Sequence, residues 1–171
     1  MNKSIKITFA LVLCVALAAC AKKQEVKPAP PPAPEVTTTQ PTTAPGPAAF
    51  TPADLDSNAC LLQRTVYFDL DQSTIKSEFA DAIACHAKYL RDRPDARMSL
   101  EGNADERGSR EYNLGLGERR GNAVADALEA AGASASQINV VSYGEERPTC
   151  REHNESCWSK NRRVEIVYTV K

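Results

Sequence analysis

Nine of the eleven prolines fall between Pro28 and Pro52, and that crowding decides where this 171-residue chain can fold. From Lys22 to Pro52 the remaining residues are largely Ala, Thr and Val, with almost no large apolar side chain. Such a stretch cannot bury enough surface to offset its ordering entropy. With Cys20 at its head, the segment 20–52 reads as a disordered linker biased toward extended polyproline II. Some thirty residues at ~3.1 Å each reach on the order of 90 Å. A core is therefore confined to residues 53–171, a length suited to one domain.

Charge and the N-terminus narrow the function. Lys and Arg number 21 against 22 Asp and Glu, a net charge of −1 that offers no field for a phosphate backbone, so nucleic acid is not an expected partner. Ahead of the linker, Lys3 and Lys6 precede an apolar run from Ile7 to Ala19, the pattern of a secretory signal peptide over residues 1–19. About thirteen apolar residues fall short of the ~20 that a spanning helix needs. The run ends in Leu17-Ala18-Ala19-Cys20, which resembles the bacterial lipobox, whose cysteine is acylated and becomes the first residue after cleavage. Two or more acyl chains hold a bilayer stably, so a lipidated Cys20 would keep the domain at a membrane. Ala21, not an acidic residue, follows the cysteine, and in this class of signal that implies the outer membrane with the domain facing the periplasm.

Cleavage before Cys20 would leave Cys60, Cys85, Cys150 and Cys157 besides the lipidated residue. In an oxidising compartment four cysteines suggest two disulfides, for which three connectivities exist. Cys150 and Cys157 share one polar segment and are expected to pair, leaving Cys60 for Cys85. The short closure would contribute ~2 to 3 kcal/mol by restricting the unfolded chain. A metal site at Cys150, His153 and Cys157 competes with this reading, but the spacing matches no standard zinc pattern, so neither metal nor cofactor is expected.

The rest of the chain alternates strand and helix periodicities. Thr65–Phe68 reads as a strand that ends in the acidic loop Asp69-Leu70-Asp71. Phe79, Ala82, Ile83, His86, Ala87 and Leu90 recur at helical spacing until Pro94 stops the pattern. Met98–Gly102 is a second strand, Arg110–Ala131 a second helix closed by Gly132, and Ile138–Tyr143 and Val164–Val170 are two further strands. The order β-α-β-α-β-β predicts an α+β fold with a mixed four-stranded sheet covered on one face by helices.

Two positions in this plan call for chemistry. On the second helix, Leu116, Val124, Ala127, Leu128 and Ala131 define the inward stripe, and Arg120 lies within it. A guanidinium there is expected to be buried against an acidic partner. Arg119 points about 100° away and reads as a solvated charge. Asp105 sits just past a strand, where binding groups collect. Together a carboxylate and a planar cation suit a zwitterion, the first holding an ammonium and the second forking onto a carboxylate. An enzyme is the rival reading, but His86 lies on an apolar stripe and His153 in a polar loop. No nucleophile and base can be paired, and Glu101, Asp105 and Glu106 are too close along one segment to establish a flanking glycosidase pair.

The run Gly102-Asn103-Ala104-Asp105-Glu106-Arg107-Gly108, then Glu111-Tyr112-Asn113-Leu114, Leu116-Gly117-Glu118-Arg119-Arg120 and Asn161-Arg162-Arg163-Val164-Glu165, resembles the OmpA-like peptidoglycan-binding domain family over about Leu61 to Tyr168. The lipobox, the linker and Tyr67-Phe68-Asp69 resemble its lipid-anchored branch. The resemblance implies non-covalent binding of peptidoglycan through diaminopimelate of the stem peptide, with Asp105 on its amine and Arg120 on its carboxylate. Phe68, Asp69 and Leu70 would contribute through their backbone, and Asn113 and Leu116 would shape the pocket. The branch serves the Tol-Pal envelope system in cell division, so TolB and TolA are implied partners. Asn103 stands where the family usually carries His, and an amide cannot reproduce an imidazole's titration. A lipid-anchored protein-interaction module without wall binding is the alternative.

Overall fold

The computed structural model describes residues 48–171, so the expected signal peptide, Cys20 and nearly all of the expected linker lie outside the described residues. Among the described residues, Phe50, within the last residues of the stretch read as linker, already packs on the domain. Its ring sits 6.2 Å from that of Tyr89 and its N–H donates to Asp92 Oδ2 at 2.8 Å. A 3-10 turn at Pro52–Asp56 and the short helix α1 (Ala59–Leu62) then lead into strand β1 (Thr65–Tyr67). Neither turn is legible as periodicity, because each is held by local bonds: Thr51 with Asp54, and the Asn58 side chain accepting from the Cys60 N–H.

Helix α2 (Ala80–Asp92) buries Ala82, Ile83, His86, Ala87 and Leu90, the face expected from spacing. Strand β2 (Arg97–Asn103) follows, then helix α3 (Arg110–Ala130), which starts on the Ser109 side chain accepting from the Tyr112 N–H and ends at Gly132 with φ of 96°. Strand β3 (Ile138–Gly144) precedes a helix absent from the expected order, α4 (Glu155–Asn161), and β4 (Arg163–Val170) completes the chain. Seven residues with a single buried apolar position, Cys157, carry no helical stripe. Helix α4 is set instead by its Asn154 cap and by the Cys150–Cys157 disulfide.

The sheet order is β1-β4-β2-β3, with β4 antiparallel to both neighbours and β2 parallel to β3. That is the mixed four-stranded α+β arrangement expected. Val66, Met98, Leu100, Val164 and Ile166 on one sheet face form a single core with Ile83, Ala87 and Leu90 of α2 and Val124 and Leu128 of α3. Helix α3 crosses β2 where Gly102 meets Gly117, and a Cβ at Gly102 would collide with the Gly117 carbonyl. This close crossing brings the next turn of α3, bearing Arg120, down onto the end of β2. Both disulfides pair as the sequence favoured, Cys60 with Cys85 and Cys150 with Cys157, so no thiolate of the competing metal reading remains.

Candidate functional site

Because β4 runs against β1 and β2, one end of the sheet gathers the ends of β1 and β2 and the start of β4. The loops leaving there enclose a cavity of about 370 Å³ together with the first half of α3. Leu70 and Asp71 line it from the β1 loop, Asp105, Arg107 and Gly108 from the β2 loop, Tyr112, Asn113, Leu116 and Arg120 from α3, and Arg162 from the entry to β4.

Arg120 is wholly buried. The expected acidic partner is not what holds it. Its Nε donates to the Gln72 carbonyl at 2.8 Å, Nη1 to the Asn103 carbonyl at 2.8 Å and Nη2 to the Asp69 carbonyl at 3.0 Å. Its Cζ also lies 5.3 Å from the centre of the Phe68 ring. Three carbonyl dipoles and an aromatic face thus replace one carboxylate. Burial, with Arg162 close by, pulls its pKa down to about 10, so the guanidinium stays charged at neutral pH. A guanidinium has five N–H groups, and the three bonds leave two, one on each terminal nitrogen, without an acceptor among the described residues.

Asp105, 3% exposed, faces the same cavity. Its Oδ1 accepts from the Arg107 N–H and Nε at 3.1 Å each, and its Oδ2 accepts from Arg107 Nη2 at 2.7 Å and Arg162 Nη1 at 3.3 Å. Burial opposes ionisation, but the bonds from Arg107 and Arg162 together outweigh it and hold the carboxyl below its usual range. Arg162 also donates through Nε to the Phe68 carbonyl at 3.0 Å and through Nη2 to Glu155 Oε1 at 2.5 Å. Arg107 lies over the Trp158 ring at 4.1 Å, with Glu155 Oε2 3.5 Å away. Helix α4 therefore backs the site: Glu155 and Trp158 position the two arginines that meet Asp105.

Of the residues singled out in the sequence, Asp105, Arg120, Leu70, Asn113 and Leu116 come together on the cavity wall. Asn113 is buried and donates to the Glu145 carboxylate, which fixes its amide. Phe68 and Asp69 stand behind the wall. Phe68 is a core residue beneath Arg120, while Asp69 offers Arg120 its carbonyl and pairs its carboxylate with Lys76 at 2.7 Å. Asn103 is buried, donates from Nδ2 to the Glu101 carbonyl at 2.8 Å, and serves the site through its own carbonyl rather than its side chain. Arg107, Arg162, Glu155 and Trp158 were not anticipated in these roles. The Arg162-Arg163 pair at the start of an alternating apolar strand was the available signal, since a cation there faces inward. The residues of the enzyme reading are spent elsewhere: His86 is packed in the core, Glu101 bonds Arg147 at 3.2 Å, and Glu106 accepts from the Trp158 indole at 2.8 Å.

Comparison with known proteins places the chain among relatives. Residues 67–162 match the OmpA family model. The peptidoglycan-associated lipoprotein of Legionella pneumophila is 50% identical over 101 residues, 59% of this chain and 57% of that protein, so the match spans under two thirds of the relative. The protein of the same description from Haemophilus influenzae is 46% identical over 114 residues, 66% of this chain and 74% of its own. The crystal structure of the peptidoglycan-associated lipoprotein from Burkholderia pseudomallei superposes with a TM-score of 0.66 at 40% identity, covering 68% of this chain and 98% of that one.

Proposed function

The chain belongs to the OmpA family, and on that premise we propose that it is an outer-membrane lipoprotein that binds peptidoglycan without turnover, through the zwitterionic end of diaminopimelate. The observation that carries this reading is the cavity of about 370 Å³ in which a buried guanidinium and a buried carboxylate share one wall. A ligand carboxylate meets the two N–H groups that Arg120 has not committed, and Leu70 and Asp71 line the same space. The ligand ammonium takes Asp105 lone pairs in place of an Arg107 bond, while the Trp158 ring and Glu155 retain Arg107 at the rim. Both partners are already ionised, and the exchange of an Arg107 bond for the ligand ammonium is the reorganisation that binding has to offset.

With Cys20 lipidated in the outer membrane and the stretch 20–52 as a tether, such a domain would tie membrane to wall. It would also belong to the Tol-Pal system, with TolB and TolA as partners. The named relatives and the sequence signals support this wider assignment.

The test is equilibrium binding of the purified protein to sacculi and to a stem peptide containing diaminopimelate, with Asp105→Ala and Arg120→Lys alongside. Arg120→Lys keeps the charge but loses the fork, and circular dichroism checks that each variant is folded. Saturable binding by the wild type that falls at least tenfold in both folded variants supports the reading. Wild-type affinity in both would refute it and move the protein-interaction module to the front.

A further inference from the structure

A second cavity, of about 310 Å³, opens on the other side of the Phe68–Leu70 loop. Tyr67, Phe68, Asp69 and Lys76 line it together with Ser159 and Lys160 of α4. Arg162 contributes to the walls of both cavities, so the two are separated by little more than one buried side chain and the loop. Their charge differs. In the first cavity Asp105 is matched by arginines, whereas in the second Lys76 is matched by Asp69 at 2.7 Å and Lys160 has no carboxylate within 4.0 Å among the described residues. The space thus carries one uncommitted ammonium beside the exposed Tyr67 ring. The backbone N–H groups of Asp69, Leu70 and Asp71, on the ridge between the cavities, also meet no acceptor among the described residues.

We infer that this second cavity takes a carboxylate from the peptide segment flanking the zwitterion held in the first, with Lys160 as its counter-charge. The inference rests on the wall-binding reading above. A zwitterionic residue within a peptide does not end at the first cavity. Its chain has to leave across the rim, and the Phe68–Leu70 ridge separates the first cavity from the second, where Lys160 has no carboxylate partner among the described residues. Lys160 is exposed, so its contribution is that of a solvent-screened pair, a two- to fivefold preference for the charged ligand.

Three ligands test it by calorimetry at low salt: free diaminopimelate, a stem peptide whose neighbouring D-glutamate keeps its α-carboxylate free, and the same peptide with that group amidated. Wild type should bind the free-acid peptide two- to fivefold more tightly than the amide. Lys160→Met should bind both peptides alike while holding free diaminopimelate as wild type does. Equal wild-type affinity for the two peptides overturns the second subsite, as does a preference that survives in Lys160→Met. In either case retained binding of diaminopimelate leaves the first cavity standing. Failure of wild type to bind any of the three refutes the wall-binding reading and this inference with it.

Discussion

His86 should make this domain acid-labile, by an amount that follows from its burial. The ring is fully enclosed, with Nε2 donating to the Gln63 carbonyl at 3.1 Å and Nδ1 accepting from the Tyr168 hydroxyl at 2.9 Å. That pattern satisfies the neutral tautomer. Protonation would set a second N–H against a hydroxyl that burial keeps protonated, with the Arg64 guanidinium nearby. Burial, opposed by the bond to Gln63 and helped by Arg64, pushes its pKa down from 6.5 to about 4. The unfolded chain therefore binds the proton first as pH falls. Stability is complete above pH 6.5, declines from there to about pH 4, and flattens below. At 1.36 kcal/mol per pKa unit, the loss between about pH 7.5 and 4.5 is about 2.5 kcal/mol from this residue alone. Urea denaturation of the wild type and His86→Gln at a series of pH values isolates it, because the carboxylates titrate in both. The variant starts from lower stability at neutral pH but should lose about 2.5 kcal/mol less over the same interval. Parallel pH dependences for the two proteins would refute the argument.

Other perturbations probe the scaffold. Gly117→Ala gains about 1 kcal/mol of helix propensity, but it drives a Cβ against Ser142 Oγ and to 2.9 Å from the Gly102 carbonyl oxygen. It should lower stability by about 1 to 2 kcal/mol net, and an unchanged or raised denaturation midpoint would count against the close crossing. The disulfides should differ in weight, since Cys60–Cys85 closes a sequence separation of 25 and Cys150–Cys157 one of only 7. Loop-closure entropy puts the paired serine replacements at about 3.5 and about 2.5 kcal/mol respectively. A larger stability loss from the shorter loop would show that its role is to hold α4 rather than to restrain the unfolded chain.

The large elements were legible because each carries its own signal. Helix α2 shows an apolar stripe that runs to Pro94, α3 a stripe closed by Gly132, and β4 the alternation of Val164 and Ile166 against Glu165 and Val167. Even Arg120 was placed correctly on the inward face, since position within a stripe is a local property. Its partners were not legible. Gln72, Asn103 and Asp69 serve it through carbonyl oxygens, which every residue possesses and no pattern advertises. The same limit hid α4, whose seven residues depend on a cap and a crosslink, and with it the hold that Glu155 and Trp158 exert on Arg162 and Arg107.

Phe50 is fastened to Tyr89 and Asp92 at the finish of α2, just before β2 starts, whereas the cavity opens where β2 ends. The point where the described chain enters the domain and the point where a ligand would be held thus lie toward opposite ends of that strand, itself about 23 Å long for seven residues. Any pull between them runs along the strands. The ladders joining β2 to β3 and β4 would bear such a load in shear, with many hydrogen bonds sharing it at once, instead of opening one at a time from a frayed end.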